Sequence, residues 1–225
     1  MEMNEIGIEQ HAVLIGMLAK AFCERYGDET GRELMKDILT RYGQERGLRM
    51  RSNMISEGMT PDMTSFFIAG EWRGKPGENA SNASYLDHES VSTVTKCAWY
   101  DAWKTHDLLS YGTIYCHCID DAICRGFDGG FQLDVQKAIG KGDDTCRFVW
   151  NGCTDEKLLK EKRETYGERF ILPFSFHCRE LIAVTGQYLK EKGYDASLLS
   201  SVSDELCELY GENMRNLFDE TGIAL

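Results

Sequence analysis

The densest group of reactive side chains in the sequence lies in Tyr115–Cys124, where three thiols, one imidazole and two carboxyls occur within ten residues. If this segment is helical, Cys116 and Asp120 share a face because they are four residues apart. His117, Asp121 and Cys124 then form a second row. A thiolate can attack an electrophilic carbon while a neighbouring acid or base moves protons. The segment therefore has the parts for nucleophilic catalysis by Cys116, and the alternative is a thiol that only packs.

Two further requirements limit what this segment can do. A carboxylate alone would raise the pKa of a nearby thiol, so an active Cys116 needs a cation or a helix N-terminus close to it. Cys116, His117 and Cys118 offer metal ligands, but adjacent residues of a helix point in different directions. The sequence also has no CxxC pair and no HxxxH pair. We therefore expect neither a metal nor another cofactor.

The chain contains nine cysteines, an odd number that excludes complete pairing within one molecule. The acidic N-terminus lacks the basic region of a signal peptide, so we expect a cytoplasmic protein with reduced thiols. Most of these cysteines are predicted to fill the core, above all Cys23, Cys153 and Cys207. Cys146 alternates with Phe148 and Trp150, and this spacing predicts a side chain that points into the core.

Composition narrows the class of protein. The 225 residues are 42% hydrophobic and 28% charged and carry a net charge of −12, which is typical of a soluble globular protein. Nucleic-acid backbones and anionic membranes attract basic surfaces, so neither is expected as a partner. The apolar run from residue 12 to residue 19 is too short to span a membrane.

The apolar spacing predicts a helix over about residues 4–26, which Gly27 ends, and a second helix over about 28–57. Gly43 and Gly47 weaken the second helix and predict a kink or break there. Short runs predict strands over about 65–70 and 91–98, and a further helix is predicted from about Asp107 to Arg125.

Two alternating segments, 131–139 and 145–151, flank the turn Lys141–Asp144 and predict an antiparallel hairpin. Charged and apolar spacing after residue 154 predicts three more helices, the second of which begins at Pro173 and the third of which is capped by Asp195. We therefore predict a single α+β domain over 1–225, in which helices pack on a small antiparallel sheet. Its parts are a helical N-terminal part (1–60), a sheet with a central helix (61–151) and a helical C-terminal part (152–225).

Sequence signatures of other enzyme classes are missing, since the chain has no GxGxxG, GxxxxGK[ST] or GxSxG motif. The aromatic residues Trp99 and Trp103 could form the wall of a small pocket, although core packing explains them equally well.

An ordered set of short motifs resembles the L-2-amino-thiazoline-4-carboxylic acid hydrolase family over about residues 60 to 151. These motifs are Thr95-Lys96-Cys97, Trp103-Lys104, Tyr115-Cys116 with Asp120, Gly126-Phe127, and Gly142-Asp143 with Cys146 and Phe148. The last motif is also similar to small-molecule-binding domains of the 4-vinyl reductase type, which implies a shared α+β scaffold rather than a shared reaction. One departure is Ala98, which stands where a proline is common after the first cysteine.

The family resemblance implies the hydrolytic opening of a five-membered ring that contains sulfur and nitrogen, giving an N-carbamoyl-cysteine product. Cys116 and Asp120 match the Tyr-Cys…Asp segment of the family, and Cys97 and Cys146 match its flanking cysteines. Our hypothesis makes Cys116 the nucleophile, Asp120 the group that transfers protons and His117, which has no counterpart in the motif, a supporting residue. The residues expected to bind substrate are Cys97, Trp99, Trp103, Tyr115, Asp121 and Cys146. In the alternative mechanism Asp120 activates a water molecule, and Cys116 only lines the pocket.

Three functions compete on these observations. The leading hypothesis is a hydrolase that needs no cofactor and acts on a small-molecule substrate, a cyclic amidine, thioamide or amide. The second is a binding or sensor domain that uses the same pocket without turnover, and the third is a structural subunit with buried thiols. Formation of a homo-oligomer is compatible with each of them.

Overall fold

A computed structural model of the chain describes residues 6–85, 88–152 and 154–222. Within these ranges the helices are α1 (Ile8–Tyr26), α2 (Asp28–Ser56), α3 (Met63–Ile68), α4 (Ala98–Thr105), α5 (Leu109–Gly112), α6 (Ile119–Phe127), α7 (Glu156–Tyr166), α8 (Phe174–Lys192), α9 (Leu198–Tyr210) and α10 (Asn216–Asp219). The strands are β1 (Ala80–Tyr85), β2 (Ser90–Lys96), β3 (Leu133–Lys137) and β4 (Cys146–Trp150). The α+β prediction is confirmed, whereas Asn4 and Cys153 lie outside the described residues.

The contacts of the chain divide it into two compact units. The helical unit comprises the described parts of Met1–Tyr42, Ala98–His117 and Pro173–Leu225. The sheet unit comprises the described parts of Gly43–Cys97 and Cys118–Leu172. A single domain over 1–225 stays a prediction.

Helix α1 is the central helix of the helical unit, because it is buried on most of its circumference. Its side chains Val13, Leu14 and Ile15 are fully buried, as expected for a helix that is surrounded by other helices. The helix ends at Gly27, whose φ of 87° is a conformation that glycine adopts without a steric penalty. Both the helix and the glycine at its end were predicted from the sequence.

The four strands of the sheet unit pair antiparallel in the order β1-β2-β4-β3. The predicted hairpin of β3 and β4 is confirmed, with Leu133 opposite Trp150 and Val135 opposite Phe148. Gly142 has a φ of 95° in its turn, and Asp143 Oδ2 accepts a 2.8 Å hydrogen bond from Ala138 N. The turn therefore has the backbone conformation and the side-chain acceptor that a tight connection needs.

The strand predicted over 65–70 is wrong, because these residues belong largely to helix α3. Asp62 caps this helix: its Oδ1 accepts a 2.8 Å hydrogen bond from Ser65 N, and Ser65 Oγ accepts one of 2.7 Å from Asp62 N. Such a reciprocal pair satisfies two donors at the start of a helix. A short apolar run does not distinguish a strand from a buried helix, and here the capping residues decide.

The single helix predicted from Asp107 to Arg125 is also wrong, because the chain there forms α5, a 3-10 turn at Tyr115–His117 and α6. Asp107 has a φ of 55°, which interrupts the helical path before α5. Gly112 packs so closely on the indole of Trp103 that a Cβ atom at this position would lie 2.3 Å from the ring. Contact with this buried ring, rather than a helical period, determines the path of the chain before Cys116.

Helix α2 is continuous through Gly43 and Gly47, so neither glycine ends it. These glycines instead allow α2 to approach α6 closely within the sheet unit. A Cβ atom on Gly47 would lie 2.2 Å from Ile123 O, and one on Gly126 would lie 2.2 Å from Gln44 O. Both contacts are with backbone, which cannot move aside as the end of a flexible side chain can. The close approach holds α6 beside the middle of α2.

Replacing Gly47 with alanine is therefore expected to destabilise the protein by about 3 kcal/mol, the upper range for overpacking. The expected loss exceeds the gain of about 1 kcal/mol in helix propensity that alanine brings. Urea denaturation followed by circular dichroism measures the change. Gly70→Ala is the matched control, since no atom lies within 4 Å of the added Cβ. Equal stability of the two variants would contradict the close packing of α2 on α6.

Among the helices formed by the described residues, none combines the length and the hydropathy that a transmembrane span requires.

Candidate active site

Cys116 lies in the helical unit, in the middle of the 3-10 turn Tyr115–His117. Its backbone N–H donates a 3.0 Å hydrogen bond to Thr113 O, and that of His117 donates a 3.1 Å bond to Ile114 O. The Cys116 side chain is partly buried, and His117 is exposed. Two backbone hydrogen bonds therefore hold the turn that carries the Cys116 thiol.

Three of the predicted substrate contacts, Trp99, Trp103 and Tyr115, form one aromatic group in the helical unit. The rings of Trp99 and Tyr115 stack with 12° between their planes and 6.3 Å between their centroids. Trp103 meets Tyr115 edge to face at 6.2 Å, and its indole N–H donates a 2.7 Å hydrogen bond to Ala12 O. Tyr115 is thus held between two indole rings, directly before Cys116 in the chain.

A residue that the sequence analysis missed, His11, lies at the centre of this aromatic group. It is 1% exposed, and its ring lies 6.1 Å from that of Tyr115 and 6.2 Å from that of Trp99. Its Nδ1 is 3.1 Å from the indole nitrogen of Trp99, and its Nε2 is 3.3 Å from the hydroxyl of Tyr42. The signal was available, because position 11 falls on the apolar stripe of α1, three residues after Ile8.

Asp120 belongs to the sheet unit, in the first turn of α6. Burial raises the pKa of its carboxyl to about 6, although the charge of Arg46 acts in the opposite direction. A helix N-terminus also favours the ionised form of a carboxyl, so desolvation outweighs both effects here. A group with this pKa exchanges protons readily near neutral pH, as a general acid or base must.

Cys146, at the start of β4, is the predicted site residue that shares the surroundings of Asp120. Its thiol is buried, and its sulfur lies 3.3 Å from the backbone nitrogen of Ile139. Burial raises the pKa of Cys146, and the charge of Asp120 adds to this, whereas the Ile139 N–H lowers it. The net effect keeps Cys146 as a neutral thiol.

Arg46 is part of a buried charge cluster that the sequence analysis did not find. Glu71 is fully buried, and its two carboxylate oxygens accept hydrogen bonds of 2.7 and 2.9 Å from Arg49. The Nε atom of Arg46, a residue that is only 3% exposed, lies 3.5 Å from Glu71 Oε2. The cluster thereby places a positive charge in the electrostatic surroundings of Asp120.

The remaining residues considered from the sequence are Asp121, Cys97 and Cys124. Asp121 accepts a 2.7 Å hydrogen bond from Arg125 Nε, one turn further along α6. Cys97 follows β2 and is partly buried. Cys124 is fully buried, and burial raises its pKa to about 12, so it is a packing residue. The expected row of His117, Asp121 and Cys124 on one helix does not form, because α6 begins only at Ile119.

All eight cysteines within the described ranges are thiols and none is in a disulfide. Six of them are buried, among them Cys23, Cys178 and Cys207, as predicted for core-filling residues. In the same part of the chain, no group of three or more His, Cys, Asp or Glu side chains is arranged to hold a metal ion.

The raised pKa of Asp120 predicts a particular pH dependence of stability. Because the pKa of Asp120 is higher in the folded than in the unfolded protein, the folded state binds the proton more tightly. The free energy of unfolding therefore falls as the pH rises from about 4 to 6. Two pKa units correspond to about 3 kcal/mol. Relative to the wild type, the Asp120→Asn variant should therefore gain up to about 3 kcal/mol in its free energy of unfolding between about pH 3.5 and 7.5.

Denaturant unfolding across this pH range measures the effect, and Asp128→Asn is a control of opposite sign. Hydrogen bonds from Gly130 N and Arg51 lower the pKa of Asp128. That carboxylate stabilises the fold above its unfolded pKa, so the Asp128→Asn variant should lose stability relative to the wild type as the pH rises. A pH-independent difference for Asp120→Asn would contradict the desolvation of this carboxyl.

The fold and these side chains define the class of protein: an α+β chain with a partly buried thiol in a 3-10 turn and a carboxyl whose pKa is raised to about 6. The family model described as L-2-amino-thiazoline-4-carboxylic acid hydrolase matches residues 7–150. The chain belongs to this family, whose description is that of a hydrolase. Neither a search of curated proteins nor a search of solved structures returned a significant match.

Proposed function

We propose that this protein hydrolyses a small ring containing sulfur and nitrogen, a 2-aminothiazoline carboxylate or a related cyclic amidine or thioamide. Membership of the family supports the type of reaction. The observation that carries the roles of the residues is the pKa of about 6 of Asp120, four residues after the thiol of Cys116. The Cα atoms of residues four positions apart are at most about 14 Å from each other.

In the first proposed step, Cys116 gives its thiol proton to Asp120, and the thiolate bonds to the amidine carbon between the ring sulfur and nitrogen. The electron pair of the C=N bond moves to the ring nitrogen, which takes the proton from Asp120. The ring C–S bond then breaks, and the sulfur leaves with the bonding electrons. This sulfur takes a proton from the amidinium group that remains, by way of Asp120, so that the carbon stays bound to Cys116 as a neutral isothiourea.

In the second step, water adds to the isothiourea carbon and its proton passes through Asp120 to the C=N nitrogen. The tetrahedral intermediate collapses to a carbonyl group, and the Cys116 sulfur leaves and regains its proton. One water molecule is consumed, and the product is an N-carbamoyl-cysteine. Asp120 suits both directions of transfer because a pKa of about 6 leaves roughly a tenth of it protonated at pH 7.

The other predicted residues have proposed roles in binding. We propose that Trp99 and Tyr115, whose rings stack on each other, contact the small ring of the substrate, and that the buried Trp103 supports Tyr115. We propose that Cys97, Asp121 and Cys146 contact substrate and that His117 supports Cys116. We also propose that the reaction takes place in the cytoplasm without a cofactor.

The test is to incubate the purified protein with 2-aminothiazoline-4-carboxylate in the presence of a chelator and to identify the product by mass spectrometry. In H₂¹⁸O, one labelled oxygen should appear in the carbamoyl group. If no ring is opened in a panel of cyclic amidines, thioamides and amides, the proposed hydrolase is wrong. Tight binding of one of these compounds without turnover would then favour a binding or sensor domain.

A further inference from the structure

We propose that His11 is a positioning residue: through Trp99 and Tyr115 it holds the turn that carries Cys116. This inference rests on the proposed role of Cys116 as nucleophile. All four residues belong to the helical unit.

The hydrogen bonds of His11 determine its protonation state and its orientation. The indole N–H of Trp99 can only donate, so the Nδ1 atom of His11, 3.1 Å away, must be the acceptor and carry no proton. In the neutral ring the proton is then on Nε2, which faces the hydroxyl of Tyr42 at 3.3 Å. That hydroxyl in turn donates a 3.4 Å hydrogen bond to His177 O. Each of these three hydrogen bonds is donated in the direction from Trp99 towards His177. The tautomer of His11 with its proton on Nε2 satisfies all three.

Packed aromatic rings link His11 to the turn that carries Cys116. His11 holds the indole of Trp99 by its nitrogen, and the face of that indole stacks on Tyr115. The His11 ring itself meets Tyr115 nearly perpendicular, at 83°. With Trp103 on a further side, Tyr115 is in contact with three rings, and the next residue in its 3-10 turn is Cys116.

A core histidine that is merely satisfied by hydrogen bonds would be expected to affect stability alone. The arrangement around His11 predicts an effect on the reactivity of Cys116 as well, because the His11 ring packs on Tyr115, the residue directly before the proposed nucleophile. A displacement of about 1 Å can cost roughly 100-fold in rate when it moves a reacting group. The position of the Cys116 thiol should therefore depend on which of the two His11 nitrogens is replaced.

Two amide variants separate the two nitrogens. The oxygen of asparagine in His11→Asn occupies a place close to Nδ1, so this variant keeps an acceptor for Trp99. The amide of glutamine in His11→Gln reaches the place of Nε2 instead and leaves Trp99 without its acceptor. His11→Leu removes both groups, and Leu199→Ala is a control for destabilisation, since it empties space at a fully buried position of α9 in the same unit.

The first measurement is the rate at which iodoacetamide alkylates Cys116, followed by peptide mass spectrometry with Cys97 as the internal reference. His11→Gln and His11→Leu should change this rate at least about 5-fold, whereas His11→Asn and Leu199→Ala should leave it within about 2-fold. The second measurement is turnover, for which we expect kcat to fall about 10- to 100-fold in His11→Gln and His11→Leu with KM nearly unchanged. His11→Asn should restore kcat to within about 5-fold of the wild type.

Equal alkylation rates in all His11 variants would overturn the positioning role, whatever their stability. The same holds if Leu199→Ala changes the rate as much as His11→Leu does, because general destabilisation would then explain both. If the wild type opens no ring but alkylation follows the predicted order, the proposed hydrolase fails while the positioning of Cys116 by His11 stands.

Discussion

Replacing Cys116 with alanine should reduce ring opening at least about 1000-fold, because no other group would form the bond to the amidine carbon. The fold should survive this change, since the side chain is only partly buried and its loss creates little empty space. Steady-state kinetics on 2-aminothiazoline-4-carboxylate measures the effect. Cys207→Ala is the matched control: this thiol is buried in the same unit, and its loss should leave kcat within about 3-fold.

The same experiment separates the two proposed mechanisms when Asp120→Asn is added. Loss of activity in both variants is expected if the thiol attacks and the carboxyl transfers protons. If Cys116→Ala retains most of its activity while Asp120→Asn has none, Asp120 activates a water molecule and Cys116 only lines the pocket.

The second large effect concerns the buried charges that influence Asp120. Glu71→Gln should destabilise the protein by about 3–5 kcal/mol, the range for removing one member of a buried ion pair. Glu71 is fully buried between Arg46 and Arg49, so its replacement removes the negative charge that interacts with both guanidinium groups in a medium of low polarity. Equilibrium unfolding in urea measures the loss in free energy.

The control for this prediction is Glu168→Gln, which breaks the ion pair of Glu168 with Arg73. Both side chains of that pair are more than half exposed, at 67% and 61%. Such pairs contribute about 0–1 kcal/mol because water and salt screen them. Comparable losses in the two variants would show that the carboxylate of Glu71 is not desolvated as the structure indicates.

The elements that could be predicted from the sequence are those whose own pattern determines them. The apolar stripe of α1 and the glycine after it predicted both the helix and its end, and the alternation of Leu133 and Val135 predicted β3. The turn at Gly142 then required the antiparallel pairing with β4. In each case the signal is local, spanning fewer than about 25 residues.

The errors arise where contacts distant in sequence decide. Gly47 was interpreted as a weak point of α2, but its effect depends on the backbone of Ile123, 76 residues later. The interruption before Cys116 depends on the buried ring of Trp103 against Gly112, which the helical period does not encode.

The residues of the candidate site also divide into those that a local pattern identifies and those that only the fold brings together. Cys116 and Asp120 could be selected from one short segment, because thiols, imidazole and carboxyls are unusually dense there. Arg46 and Glu71 are 25 residues apart and belong to a helix and to the segment after α3, so only the folded sheet unit brings them together. His11 was within reach of the sequence pattern, but its partners Trp99 and Tyr115 are about 90 residues or more away.

The central claim is that Cys116 becomes covalently bound to the ring carbon during turnover. The most direct test is to mix enzyme and substrate, quench with acid within the first turnover and examine the Cys116 peptide by mass spectrometry. A mass increase equal to that of the intact substrate is expected on Cys116, because the isothiourea contains every substrate atom until water is added. It should be absent in Cys116→Ala and should decay when the substrate is exhausted. Turnover with an unmodified Cys116 at every quench time, under conditions that preserve an isothiourea standard, would contradict the mechanism.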